Sequence, residues 1–115
     1  MVIWIIGLSG TGKTTLATQV VARIRQMNHK VVLLDGDLIR DLFGNDVDHT
    51  IEGRRRNADR LSVLTKFLSD QGIHVVAAVL SIFVTIFTSV AKLTLGTPRV
   101  RDLTNHTFAA IFSMW

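Results

Sequence analysis

Gly7-Leu8-Ser9-Gly10-Thr11-Gly12-Lys13-Thr14 fits the pattern G-x-x-x-x-G-K-[ST] in full, and Thr15 follows directly. Glycines at these spacings let the backbone turn tightly, so that successive N–H groups point inward around a phosphate. The helix that opens behind the loop adds its unpaired amides and the positive end of its dipole. Lys13 then reaches the β- and γ-phosphates, and the Thr14 hydroxyl is a ligand for Mg²⁺. The alternative, a glycine turn followed by a chance Lys-Thr pair, leaves the flanking pattern unexplained.

That pattern supplies the context. Val2 to Ile6 is a continuous apolar run rich in β-branched residues, as expected of a strand buried on both faces. From Lys13 onward, Leu16, Ala17, Val20, Val21, Ile24 and Met27 make a helical stripe. Val31 to Leu34 is a second buried strand and runs into Asp35-Gly36-Asp37. Strand, helix, strand in this order implies a parallel pair with a right-handed crossover. Leu38 to Phe43 suits a short helix. A longer amphipathic helix is expected to begin between Ile51 and Arg56, with Ala58, Leu61, Leu64, Phe67 and Leu68 inward and Gly72 at its end. Ile73 to Leu80 reads as a third buried strand. The expected class is α/β, a three-layer arrangement around a parallel sheet.

The chain has 115 residues, 48% of them hydrophobic and 19% charged, enough for one packed domain. It contains no cysteine, which excludes a disulfide framework, a thiolate metal site and a cysteine nucleophile. Thirteen Lys and Arg against nine Asp and Glu give a formal charge of +4. Residues 1–72 hold ten basic and eight acidic residues, so charge of both signs is interspersed rather than gathered in a tail. Neither a basic arm nor an aromatic-basic motif speaks for nucleic acid. Met1 to Ile6 has no positive leader and is not read as a signal peptide. Val75 to Ala91 runs 17 residues without a charge, at the lower edge of a membrane span. Its β-branched residues, with Thr85, Thr88 and Ser89, favour a strand and a turn over a membrane helix.

Asp35 and Asp37 stand where the second strand ends, the ligand edge of an open α/β sheet. A carboxylate there can hold Mg²⁺ through water or orient an acceptor hydroxyl. It can also simply cap the next helix. Arg54, Arg55, Arg56, Asn57 and Arg60 form the densest basic cluster, suited to a phosphate or sulfate or to pairing with Glu52 and Asp59. Arg40 carries the same two readings. His29, His49, His74 and His106 show no metal-ligand spacing.

Over residues 2–83 the chain resembles the adenylylsulfate kinases, a family of P-loop kinases. The resemblance lies in Gly7 to Thr15, in Leu34-Asp35-Gly36-Asp37 followed by Arg40, in Arg54 and Asn57, and in Ala78-Val79-Leu80-Ser81-Ile82-Phe83. It implies transfer of a phosphoryl group from ATP to the 3′-hydroxyl of adenylyl sulfate, with Mg²⁺, giving 3′-phosphoadenylyl sulfate. In that reading Gly7, Leu8, Ser9, Gly10, Thr11, Gly12, Lys13, Thr14 and Thr15 bind the nucleotide, with Thr14 and Asp35 at the metal. Lys13, Asp35 and Asp37 are catalytic, and Asp37, Arg40, Arg54 and Asn57 hold the acceptor. The family's serine at position 81 is treated as a phosphorylated intermediate; direct transfer needs none, and substrate contact or strand termination are the other roles for Ser81. The resemblance further implies a cytoplasmic enzyme acting on small molecules, with a homodimer as the candidate assembly, and a third strand lying between the second and the first.

The sequence also departs from the family. Gly53 stands where an acidic residue is common, His49 where an aromatic ring is usual, and Asp59 where an arginine is common. After Phe83 the chain turns apolar, and no lid with basic residues or adenine-binding loop is legible where five parallel strands are the norm. Residues 1–83 are therefore expected to form a partial kinase core, and 84–115 an unassigned tail, an unrelated or frameshifted continuation.

Overall fold

The computed structural model describes residues 1–8, 10 and 12–80, together with the backbone of two strands at 99–104 and 107–112. Its elements are β1 (Val2–Gly7), α1 (Lys13–Gln26), β2 (Val31–Asp35), α2 (Gly36–Leu42), α3 (Ile51–Asp70), β3 (His74–Leu80), β4 (Arg99–Thr104) and β5 (Thr107–Phe112). They build a five-stranded sheet in the order β2-β3-β1-β5-β4. β3 pairs in parallel with both β1 and β2, so the third strand does lie between the second and the first.

Strand alternation sorts the core into two layers. Val2, Trp4 and Ile6 of β1, with Val75, Ala77 and Val79 of β3, face Ile39 of α2 and Ala58 and Leu61 of α3. Ile5, Val76 and Ala78 face the other way, onto Ala17, Val21 and Ile24 of α1. One helix on one side and two on the other make the three-layer α/β sandwich that the strand-helix-strand pattern predicts. Because both faces are covered, these strands read as continuous apolar runs.

The helix boundaries follow from caps. Asp35 accepts hydrogen bonds from the backbone N–H groups of Asp37 and Leu38, so α2 starts at Gly36, two residues before the apolar pattern does. Thr50 accepts from the Gly53 N–H and starts α3 at Ile51. Gly72, expected at the end of α3, follows the capping residue Gln71.

The sheet extends past the three strands legible in the sequence. β5 runs antiparallel to β1, with Val2 opposite Phe112 and Gly7 opposite Thr107, and β4 pairs antiparallel with β5. β1 is thereby hydrogen-bonded along both edges. Of the apolar stretch at 75–91, residues 75–80 belong to β3 and not to a helix; 81–91 lie outside the described residues. Among the described residues no helix is long and apolar enough to cross a membrane.

Candidate active site

The parallel registers bring three strand ends level: Gly7 pairs with Leu80, and Asp35 with Ala78. A cavity of about 580 Å³ opens over these ends, between the loop behind β1 and the first halves of α2 and α3.

The loop side follows from backbone geometry. Gly10 and Gly12 take φ of 76° and 82°, the left-handed region that side-chain-bearing residues resist, and Gly12 is the residue that hands the chain into α1. Gly12 has no side chain to cap that helix, and among the described residues its first amides stay available to an anion. Lys13 and Thr14 follow as the first residues of α1. The Lys13 ammonium donates to the Leu8 carbonyl at 2.6 Å, folding the side chain back along the loop. Partial burial lowers its pKa from the ordinary lysine value, and the nearby Asp35 and Asp37 carboxylates oppose that shift. The Thr14 hydroxyl donates to Asp35 Oδ2 at 2.8 Å, while Asp35 Oδ1 accepts the Asp37 N–H at 2.9 Å. Asp35 thus caps α2 with one oxygen and turns the other to the loop.

The opposite wall is built from α2 and α3. Arg40 Nη1 donates to Asp37 Oδ1 at 2.9 Å, and the pair is sharply asymmetric, with side chains 9% and 89% exposed. Buried Arg40 is thus held at one nitrogen, and its Nε has no partner among the described residues. Asn57 is also buried; Nδ2 donates to the Gly36 carbonyl at 2.9 Å, and Oδ1 has no partner among the described residues. Arg54 Nε donates to the His49 carbonyl at 2.7 Å. Each of these residues lines the cavity.

Most of the expected site residues thus converge: Gly10, Gly12, Lys13, Thr14, Thr15, Asp35, Asp37, Arg40, Arg54 and Asn57 face one cavity. Gly7 ends β1, and Leu8 is exposed beside Lys13. Ser9, Thr11 and Ser81 lie outside the described residues. Arg60 stands apart from this wall, forked onto Asp46 at 2.7 and 3.0 Å and stacked 4.2 Å over the Phe43 ring; Glu52 and Asp59 are not its partners. Sequence reasoning missed His49, Gly36, Ala58 and Leu61 as lining residues. The signal was present for two of them, Ala58 and Leu61. Asn57 falls on the apolar stripe with Ala58 and Leu61, and a polar amide on such a stripe implies a buried partner.

The model of the adenylylsulphate kinase family matches residues 1–106. The chain belongs to the adenylylsulphate kinase family. The adenylyl-sulfate kinase of Paraburkholderia xenovorans is 39% identical over 80 residues, which are 70% of this chain and 45% of that protein. That of Vibrio cholerae is 38% identical over 80 residues, 70% of this chain and 37% of the relative. Among solved structures, the Mycobacterium tuberculosis APS kinase CysC in complex with AMPPNP and APS superposes with a TM-score of 0.69 at 28% identity, covering 81% of this chain and 55% of that one. The chain thus spans less than half the length of these curated relatives. Family membership accounts for the P-loop fold.

The donor set at Thr14 and Asp35 suits Mg²⁺. A hydroxyl and a carboxylate are hard oxygen donors, and among the described residues no group of three His, Cys, Asp or Glu forms a protein cage. Mg²⁺ commonly takes few protein ligands and fills its shell with water and phosphate oxygens.

Proposed function

We propose that this chain carries the nucleotide-binding and acceptor-facing half of an ATP-dependent kinase that phosphorylates the 3′-hydroxyl of adenylyl sulfate, giving 3′-phosphoadenylyl sulfate for sulfate activation. The observation that carries the reading is the hydrogen bond from Thr14 to Asp35, which joins the phosphate loop to the strand end facing the acceptor wall. Residues 1–83 form the kinase core in this reading. Relatives named adenylyl-sulfate kinase, and a relative solved with both AMPPNP and APS, support it.

The loop amides and the Lys13 ammonium hold the β- and γ-phosphates of ATP and offset charge on the transferring group. Thr14 and Asp35 would hold Mg²⁺, which when bound would neutralise phosphate charge. Asp37 keeps Oδ1 on Arg40 and leaves Oδ2 to orient the acceptor hydroxyl and take its proton. Arg40, Arg54 and Asn57 present N–H donors and an amide to the anionic acceptor. The setting is cytoplasmic.

One observation favours a second reading, nucleotide binding without turnover. The edge of β1 is taken by an antiparallel β5 where the family resemblance implies further parallel strands. Calorimetry with Mg²⁺-ATP, followed by ADP release with and without adenylyl sulfate, separates the two. Acceptor-dependent ADP release is the expected result. Binding without it establishes the second reading, and absence of nucleotide binding overturns both.

A further inference from the structure

We infer that Gly53 is a positioning residue for the acceptor side of the cavity: its missing side chain lets Asp48 settle against the first turn of α3, and this sets where His49 and Arg54 stand. The inference rests on the acceptor reading above for its functional meaning, and on steric geometry for its structural part.

Gly53 is buried in α3 with ordinary helical backbone, so no unusual φ calls for glycine there. Space does. A Cβ on Gly53 would collide with Asp48 Oδ1 and the Asp48 carbonyl oxygen, and would stand 2.9 Å from the Asp48 carbonyl carbon. Two of those three atoms are backbone, so turning the Asp48 side chain does not clear the way. A larger residue at 53 must push the chain at 48 off the helix.

The displaced segment is tied to the cavity wall by consecutive bonds. Asp48 Oδ1 accepts from the Thr50 N–H at 3.2 Å and from the Thr50 hydroxyl. Thr50 Oγ1 accepts from the Gly53 N–H at 3.1 Å, and the Thr50 carbonyl accepts from the Arg54 N–H at 2.9 Å. Arg54 Nε in turn donates to the His49 carbonyl at 2.7 Å. His49 and Arg54 both line the cavity, and Lys13 and Thr14 share none of these bonds. Moving Asp48 therefore shifts the acceptor wall and spares the phosphate loop.

The test compares the full chain with its Gly53→Ala and Thr50→Val variants, titrating Mg²⁺-AMPPNP and adenylyl sulfate separately and following backbone amide resonances. Alanine favours a helix interior over glycine, so Gly53→Ala should fold. Its adenylyl sulfate affinity should fall on the order of tenfold, about the worth of one hydrogen bond, with nucleotide affinity unchanged. Amides of 48–54 should shift while those of Lys13 and Thr14 hold still. Thr50→Val, which keeps Gly53 but cuts the same chain of bonds, should weaken adenylyl sulfate in the same direction. Unchanged acceptor affinity in folded variants overturns the inference, as does an equal loss for both ligands. Should the parent chain bind nucleotide but not adenylyl sulfate, the acceptor reading fails by itself. The amide shifts then decide the positioning, and shifts confined to residue 53 overturn it.

Discussion

The Thr14 hydroxyl donates to Asp35 Oδ2 at 2.8 Å, tying the first turn of α1 to the end of β2 across 21 positions of sequence. Asp35 Oδ1 meanwhile accepts backbone N–H groups at the start of α2. One carboxylate serves the fold with one oxygen and the cavity with the other, and substitution can separate these duties.

Asp35→Asn keeps an oxygen for the cap, and asparagine caps helices about as well as aspartate. Its stability should therefore stay within about 0.5 kcal/mol of the parent, while loss of the negative charge weakens Mg²⁺-ATP at least about tenfold, or about 1.4 kcal/mol. Asp35→Ala should lose the same affinity and in addition about 1 kcal/mol of stability. Urea unfolding alongside calorimetry reads both quantities.

Asn57→Leu should be costly although its volume is nearly conserved. The amide is buried and bonds the Gly36 carbonyl, so leucine leaves that carbonyl without its donor beneath the cavity. Stability should fall by about 1–3 kcal/mol. Denaturant midpoints give the loss, and an unchanged midpoint would show that the Gly36 carbonyl finds another donor.

Leu61 is 2% exposed, packs with Trp4 and Val79 in the layer under α3, and touches the cavity. Leu61→Ala should cost about 2–5 kcal/mol, toward the lower end because water from the open cavity can enter the space left behind. Thermal unfolding checks the size of the loss.

His74 gives the fold a pH dependence of definite sign. Burial is the largest cause lowering its pKa from the ordinary 6.5, followed by the positive charges of the Met1 amine and His29, against a hydrogen bond that the ring donates to the Met1 backbone. Between the lowered native value and 6.5 the unfolded chain binds more protons than the native one. Stability should accordingly rise with pH through that window and fall as pH drops below 6.5. His74→Gln should flatten the slope of melting temperature against pH, which thermal scans in a series of buffers measure.

Legibility in the sequence tracked locality. β1, the glycine loop and α1 are contiguous, and their pattern alone specifies a strand, a tight glycine turn and a helix. β2 and β3 showed as apolar runs because helices cover both faces of the sheet. Nothing local marks Gly36 as the partner of Asn57, since that bond depends on how α3 lies across the sheet. Nor does local pattern reveal why position 53 is glycine, because the atom that forbids a side chain belongs to Asp48. Arg60 illustrates the same limit: the sequence offered Glu52 and Asp59 as surface partners for the arginine cluster as a whole, and the fold supplied Asp46 from the preceding loop to this one. β4, with Arg99, Arg101 and Asp102, has too little apolar character to be read as a strand without the neighbour it pairs with.

The level strand ends have an evolutionary consequence. In the proposed reading the groups that hold polyphosphate belong to residues 7–15 and those that face the acceptor to 35–57, and both stretches meet at the level strand ends. On that reading the second stretch can accumulate changes, as at Gly53, without touching the residues assigned to the donor. Such an architecture is open to retargeting by segment exchange: grafting 35–57 from a kinase of different acceptor preference would change what is phosphorylated and leave the energy source in place.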